Sequence, residues 1–132
     1  MNHLFQRIES WANREPARIA LRDGLREIRY LDLWQQIQEL ARDLQAAGIR
    51  RLALRLDNSL EWALADLACG LADIVVIPVP TFFSDQQQAW LLDSSGADAL
   101  IGATPAGWHE TTLAGLPLAR HQPQTIAPLP AG

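Results

Sequence analysis

Between Leu52 and Pro80 the chain runs strand, polar loop, helix and strand with almost no residue to spare, and few architectures accept that order. Leu52, Leu54 and Leu56 alternate with Ala53, Arg55 and Asp57, the period-2 pattern of a strand with one buried face. Asp57-Asn58-Ser59 breaks the pattern, and Asn58 with Glu61 has the spacing of a capping box. The helix that follows carries Leu60, Leu64, Leu67 and Leu71. It leads into Ile74-Val75-Val76-Ile77, a β-branched run apolar on both faces, as a strand covered from both sides must be. Strand, crossover helix and buried strand make a βαβ unit with parallel strands.

The remaining elements are placed around this unit. Asn2 can cap a first helix with Leu4, Phe5, Ile8, Trp11 and Ala12 on one face, and Pro16 ends it. Ile19–Arg22 and Ile28–Tyr30 flank Asp23-Gly24, a strong hairpin signal. One turn length puts Ile19 opposite Ile28 and a longer one puts Leu21 there; both leave Ile19, Leu21, Ile28 and Tyr30 on one face. A second helix over about Asp32 to Ala47 shows a stripe of Leu33, Trp34, Ile37, Leu40, Ala41 and Leu44. Asp32 and Gln35 suit its start and Gly48 its left-handed stop. Ser84 with Gln87 opens a short helix that stops at Gly96, and Asp98–Ile101 reads as a third parallel strand. The fold class is therefore α/β: a short parallel sheet of about three strands with crossover helices, plus an N-terminal β-hairpin. From Gly102 the pattern dissolves among Pro105, Pro117, Pro123, Pro128 and Pro130. The expected organisation is an α/β unit over 1–102 and a Pro-rich connecting segment over 103–132.

In the central helix the four leucines fall within a narrow arc, which is expected to face the sheet. The opposite side holds Trp62, Ala65 and Cys69, too apolar for water, so a second packing partner is expected there. That partner is the hairpin, the first helix or protein outside this chain, a second copy included. The five tryptophans read as packing anchors rather than a ligand cage.

Composition removes several function classes. The net charge is −4, and all eleven basic residues are arginines scattered beside acidic neighbours, as at Arg22-Asp23 and Arg42-Asp43. No basic stripe is available for a nucleic-acid backbone. No apolar run approaches the roughly 18 residues of a membrane span, and Asn2–Arg14 carries both charges rather than a signal-peptide core. A cytoplasmic chain is expected. Cys69 is the one cysteine, which fits a buried thiol in a reducing compartment. Without a lysine the chain supplies neither a Schiff base nor a phosphate-loop lysine.

Self-contained chemistry is hard to find. There is no glycine-rich phosphate loop, no nucleophile elbow and no histidine pair at metal spacing; no catalytic residue and no metal ligand is assigned. His3, His109 and His121 sit in the leader and tail and read as surface or loop groups. Asp57, Glu61, Asp66 and Asp73 resemble a cluster, but capping and solvation account for each. Arg55 shares a strand face with Asp57, and an ion pair between them is expected ahead of anion binding. Position adds one pointer, because ligands of open α/β sheets collect beyond the carboxyl ends of the strands. There the loop candidates are Asn58, Ser59, Thr81, Phe82 and Phe83, which suit a pocket wall or a domain interface.

Leu21–Ile49, reading LRDGLREIRYLDLWQQIQELARDLQAAGI, resembles the amino-terminal signature of AMP-forming acyl-CoA synthetases and their adenylate-forming relatives. There a hairpin ends in a Tyr and a helix of the form E-L-x-x-x-V-x-x-L-A-x-x-L-x-x-x-G follows. Leu54–Ser84 is more specific. Asp57-Asn58-Ser59-x-Glu61-Trp62 and Ala65-Asp66-Leu67-Ala68 are similar to the version in long-chain fatty-acid ligases, and Ser95-Gly96-Ala97 before Leu100-Ile101 continues the match. The resemblance covers about Phe5 to Gly102. It implies a parent enzyme that joins a carboxylic acid to AMP from ATP, releases pyrophosphate and passes the acyl group to a thiol, usually CoA. It also implies that the phosphate loop with its lysine, the Mg²⁺ contacts and the catalytic lysine all lie beyond this chain. Tyr30, Gly48, Asn58, Glu61, Trp62 and Pro78 map onto the scaffold, with packing, capping and turn roles. Leu31, after the Tyr, and Asp73, before the buried strand, depart from the small residues common there. ATP, Mg²⁺ and CoA are thus cofactors of the implied parent, none bound by this chain, and the remainder of the ligase is the implied partner. The alternative is a stand-alone α/β binding or interaction module without catalysis.

Overall fold

The computed structural model describes residues 3–57 and 59–121. The elements are α1 (His3–Arg14), β1 (Ile19–Asp23), β2 (Arg26–Arg29), α2 (Tyr30–Ala46), β3 (Arg51–Leu54) and α3 (Leu60–Ala72). They continue with β4 (Val75–Pro78), α4 (Asp85–Ser95), β5 (Ala99–Ile101), β6 (Trp108–Leu113) and β7 (Leu116–His121). β1 and β2 form a separate antiparallel pair, while the main sheet has the order β4-β3-β5-β7-β6. β3 lies between β4 and β5 and runs parallel to both, so the expected three parallel strands are present.

The sheet does not stop where the sequence pattern fades. β6 and β7 form a hairpin, with Leu113 opposite Leu116, that joins β5 antiparallel through Ala99↔Arg120 and Leu100↔Ala119. Trp108–His121, placed by sequence in a connecting segment, is therefore part of a five-stranded mixed sheet. Its turn is Ala114-Gly115, with φ of 50° and 78°. Both central residues of such a two-residue turn need positive φ, and an alanine there does not announce one. Pro117 lies opposite Thr112 and before the β5 pairing begins, so it removes no hydrogen bond between β7 and β5.

The central helix is turned about its axis relative to expectation. Ala65, Ala68, Cys69 and Ala72 are the buried residues of α3, and they pack with Leu52, Leu54, Ala99 and Ile101 of the sheet. The same cluster includes Leu40, Ala41 and Leu44 of α2, so the small residues seat α3 against both α2 and the sheet. Leu64, Leu67 and Leu71 project towards Phe5, Ile8, Leu33 and Ile37 of α1 and α2. A row of small side chains lets a helix axis approach its neighbours closely, and the longer leucines fill the gap on the α1 side. Ala65 and Cys69 are fully buried within this chain, so they have their partners in the sheet and α2, while Trp62 is half-buried. Burial, with the nearby Asp66 charge, pushes the Cys69 thiol up to about 12, so it stays protonated at neutral pH.

Several local expectations are refined. α3 is capped by Ser59, whose Oγ accepts from the Trp62 N–H at 3.2 Å, one residue later than the Asn58–Glu61 box. Asn58 and the Asn2 cap lie outside the described residues. α2 begins at Tyr30 with Arg29 as N-cap and no side-chain cap, leaving Asp32 in the first turn. α4 has the full capping box: Ser84 Oγ accepts from Gln87 N at 3.1 Å and Gln87 Oε1 accepts from Ser84 N at 2.8 Å. Asp73 ends α3 at φ 63°, a left-handed position that aspartate tolerates better than most residues with a Cβ. In the first hairpin Leu21 faces Ile28 and the tip is Gly24-Leu25. A bulge between Ile19 and Leu21 brings Ala20, with Leu21 and Ile28, against the helices. β3 is covered on both faces, since Ala53 is as buried as Leu52, whereas β4 is an edge strand whose Val75 is 56% exposed.

One polar lock ties the first hairpin to α3. Arg26 bonds both Asp23 (2.7 Å) and the Glu61 carboxylate, and Asp23 also accepts from Leu60 N at 3.2 Å. The Arg26 hydrogen bonds hold Asp23 below its ordinary range and carry Glu61 down to about 2. Two outcomes follow from this packing. Ala65→Leu should destabilise the chain by about 1–3 kcal/mol in urea unfolding, because the added volume meets the sheet; a neutral result would put the leucine arc back on the sheet. Glu61 binds fewer protons folded than unfolded, so the lock stabilises above its ordinary value of 4.5 and is lost as pH falls through about 2. The stability gap between the wild type and Arg26→Ala should therefore close across that window, and should also shrink in high salt at neutral pH.

Candidate functional site

The carboxyl ends of β3, β4 and β5 point to one edge, formed by Arg55–Asp57 with Ser59, by Val79–Ser84 and by Gly102–Pro105. Arg55 organises it. Its backbone N–H continues the β3 ladder to Ile101 O at 2.8 Å, and its side chain leaves the strand on the α4 side, the side of Ala53. One terminal nitrogen donates to Gln88 Oε1 at 2.6 Å; the other donates to Thr81 O at 2.9 Å and Phe83 O at 2.8 Å. The guanidinium thus grips the two carbonyls that flank Phe82. No carboxylate among the described residues lies within 4 Å of it, so the expected Arg55–Asp57 ion pair is replaced by bonds to neutral acceptors.

The loop candidates separate accordingly. Ser59 is committed to capping α3. Thr81 and Phe82 are exposed, Phe82 by 83%, and Phe83 is half-buried with its ring edge-on to Phe82 at 5.6 Å between centroids. Asn58 lies outside the described residues. Gln88 was not singled out from the sequence, yet it is only 4% exposed. Its position one turn into α4, among three consecutive glutamines, carries no periodic signal that separates it from its neighbours.

Beside this edge, an open cleft of about 1040 Å³ separates α4 from the β6–β7 hairpin. Arg55, Gln88 and Leu92 line one side, and Thr104, Trp108 and Arg120 the other. The Trp108 ring meets His121 edge-on at 5.2 Å. Among the described residues no group of three or more His, Cys, Asp or Glu is placed to hold a metal ion, and no helix is long and apolar enough to cross a membrane. Gly102 closes the edge at φ 112°, and a Cβ there would stand 1.9 Å from Arg55 O. Gly102→Ala should therefore cost at least about 2 kcal/mol in urea unfolding. A neutral substitution would show that β3 and the Gly102 turn are not held at that distance.

Comparison with known proteins agrees with this architecture. A family model described as AMP-binding enzyme matches residues 8–128. One of the chains of the mycosubtilin synthase of Bacillus subtilis is 28% identical over 101 residues, which are 74% of this chain and 4% of that protein. Among solved structures, the N-terminal subdomain of Klebsiella oxytoca NpsA in complex with 3-hydroxybenzoyl-AMSN superposes with a TM-score of 0.66 at 27% identity. That match covers 79% of this chain and 28% of the other. The o-succinylbenzoate CoA synthetase MenE of Bacillus subtilis, in complex with the acyl-adenylate intermediate OSB-AMP, gives 0.61 at 26% identity, covering 69% and 25%. The chain thus spans under a third of the length of these relatives. With the family model matching residues 8–128, the chain belongs to the AMP-binding enzyme family.

Proposed function

We propose that this chain is an amino-terminal portion of an ATP-dependent ligase that joins a carboxylic acid to AMP, releases pyrophosphate and passes the acyl group to a thiol such as CoA. On this reading the 132 residues are inactive alone and the setting is cytoplasmic. The observation that carries the reading is the family match over residues 8–128 of a chain that covers only 28% of a solved relative. Transfer of AMP needs cations at the departing pyrophosphate, placed to meet charge as it develops. The residues present do not fit that task. Arg26 is engaged by Asp23 and Glu61, Arg22 by Glu27 and Arg18 by Glu15, and none of the other arginines stands in a glycine-rich phosphate loop. No lysine stands in the sequence. The triphosphate and Mg²⁺ contacts therefore belong to the remainder of the ligase, which is the expected partner, and no step of the reaction is assigned to a residue here.

The acid is proposed to be a fatty acid, on the resemblance of Asp57–Ala68 to long-chain ligases. The solved relatives carry a 3-hydroxybenzoyl and an o-succinylbenzoyl group, so an aromatic acid is the natural comparison in an assay. A second reading, a small binding module without catalysis, draws on the cleft beside α4, which this chain forms by itself. Purified 132-residue protein should show no acid-dependent exchange of pyrophosphate into ATP with either acid class; exchange above background would overturn the assignment of inactivity. A coding sequence that continues past Gly132 into a Ser/Thr/Gly-rich loop with a lysine supports the ligase reading, and a stop codon there favours the module.

A further inference from the structure

Arg55 is held in a way that leaves its charge unanswered. A half-buried guanidinium normally finds a carboxylate, because leaving water is costly for an unpaired charge. Here the acceptors are two backbone carbonyls and one amide oxygen, all neutral, and no carboxylate is within 4 Å among the described residues. Gln88 accepts from Arg55 through Oε1, while its amide nitrogen makes no hydrogen bond of its own. Among the described residues no buried side-chain nitrogen or oxygen lacks a partner, so this nitrogen keeps some exposure, and Gln88 and Arg55 both line the cleft. The two residues thus stand side by side at the carboxyl edge of the sheet, the edge where open α/β sheets take ligands.

We propose that Arg55 and Gln88 form a binding site for a small, singly charged oxyanion at the α4 cleft, separate from the adenylating chemistry and independent of the ligase reading. A carboxylate reaching Arg55 adds an opposite charge, in a geometry that matches the planar fork, to a guanidinium that otherwise meets only neutral acceptors. The cleft limits the charge it accepts: Asp85 and Asp93 line the α4 wall, against Arg120 on the opposite wall. Those carboxylates repel a polyphosphate more than a monocarboxylate. Leu92, Ala97 and Trp108 supply an apolar lining beside the charged end, which suits a carboxylate on an apolar body.

The test is an NMR titration of the 132-residue protein with benzoate, following the side-chain Nε–H signals of Arg55 and, as an internal control, of Arg22. Saturable shifts at Arg55 with a Kd of about a millimolar, and none beyond salt screening at Arg22, are expected. Gln88→Leu keeps the guanidinium and should weaken binding by about tenfold; Arg55→Gln should abolish saturation. Arg55→Gln also frees the 81–83 loop, so Gln88→Leu is the variant that isolates the site. Equal, linear shifts at Arg55 and Arg22 would overturn the proposal, as would saturable binding untouched by both substitutions. Sulfate, doubly charged throughout the working pH range, forms the second arm. Weaker binding than benzoate is expected, and tighter binding would overturn the single-charge assignment.

Discussion

The seating of the small face of α3 between α2 and the sheet sets the geometry of the whole molecule. Ala65, Ala68 and Cys69 have no exposed surface, and with Ala72 they share one buried cluster with Leu40, Ala41 and Leu44 of α2 and with Leu52, Leu54, Ala99 and Ile101 of the sheet. Small side chains there let the helix axis lie closer to both neighbours than leucines would permit. Once that distance is set, the leucines of α3 must project sideways, and α1, α2 and the first hairpin exist in part to cover them. The Arg26 lock works within the same constraint, because it joins the hairpin tip to the first turn of a helix whose position is already decided. Its exposed charges adjust the attachment, whereas the burial beneath α3 supplies it.

Much of this was legible in the sequence because periodicity and capping are local. The strand–helix–strand order of 52–78, the stripe of α2, the Ser84 box and the Gly48 and Gly96 stops all depend on residues a few positions apart. Which face of α3 meets the sheet depends instead on the distance between elements. By hydrophobicity the leucine arc is the stronger candidate, yet closeness of approach favours the alanines, and no pattern within the helix expresses that choice. The β6–β7 hairpin was hidden for another reason. Ala114 adopts φ 50° without the glycine or asparagine that usually marks such a turn, and Pro105 and Pro117 resemble linker residues. Its strands declare themselves only through pairing with β5, a contact between segments more than 15 residues apart.

The candidate site divides along the same line. The carboxyl edge was identifiable from topology, and Thr81, Phe82 and Phe83 do lie on it. The group that arranges them was misread, because Arg55 and Asp57 share a strand face and charge pairing is the simplest expectation for them. The strand ends at Leu54, and beyond it Arg55 is free to turn towards the loop, where two carbonyls and Gln88 match its planar fork. Gly102 completes the arrangement from the β5 side, and its requirement is steric: Arg55 O occupies the space of its missing Cβ. Neither relation leaves a trace in spacing or composition, since both join residues far apart in the chain.

The edges of the sheet say how such a unit can sit within a longer protein. In β4 the amides of Val75 and Val79 bond to Arg50 O and Leu54 O, so odd-numbered positions face β3 and the intervening ones face outward. One outward position is Pro78, which has no amide hydrogen to offer, and a strand added along β4 would lose a ladder bond there. The same strand exposes Val75 to 56%, an apolar edge that would otherwise invite pairing with another chain. A proline at the open edge and a wide cleft over the sheet face direct further packing in the same way. New structure is disfavoured along the β4 edge and has room in the cleft between α4 and the β6–β7 hairpin.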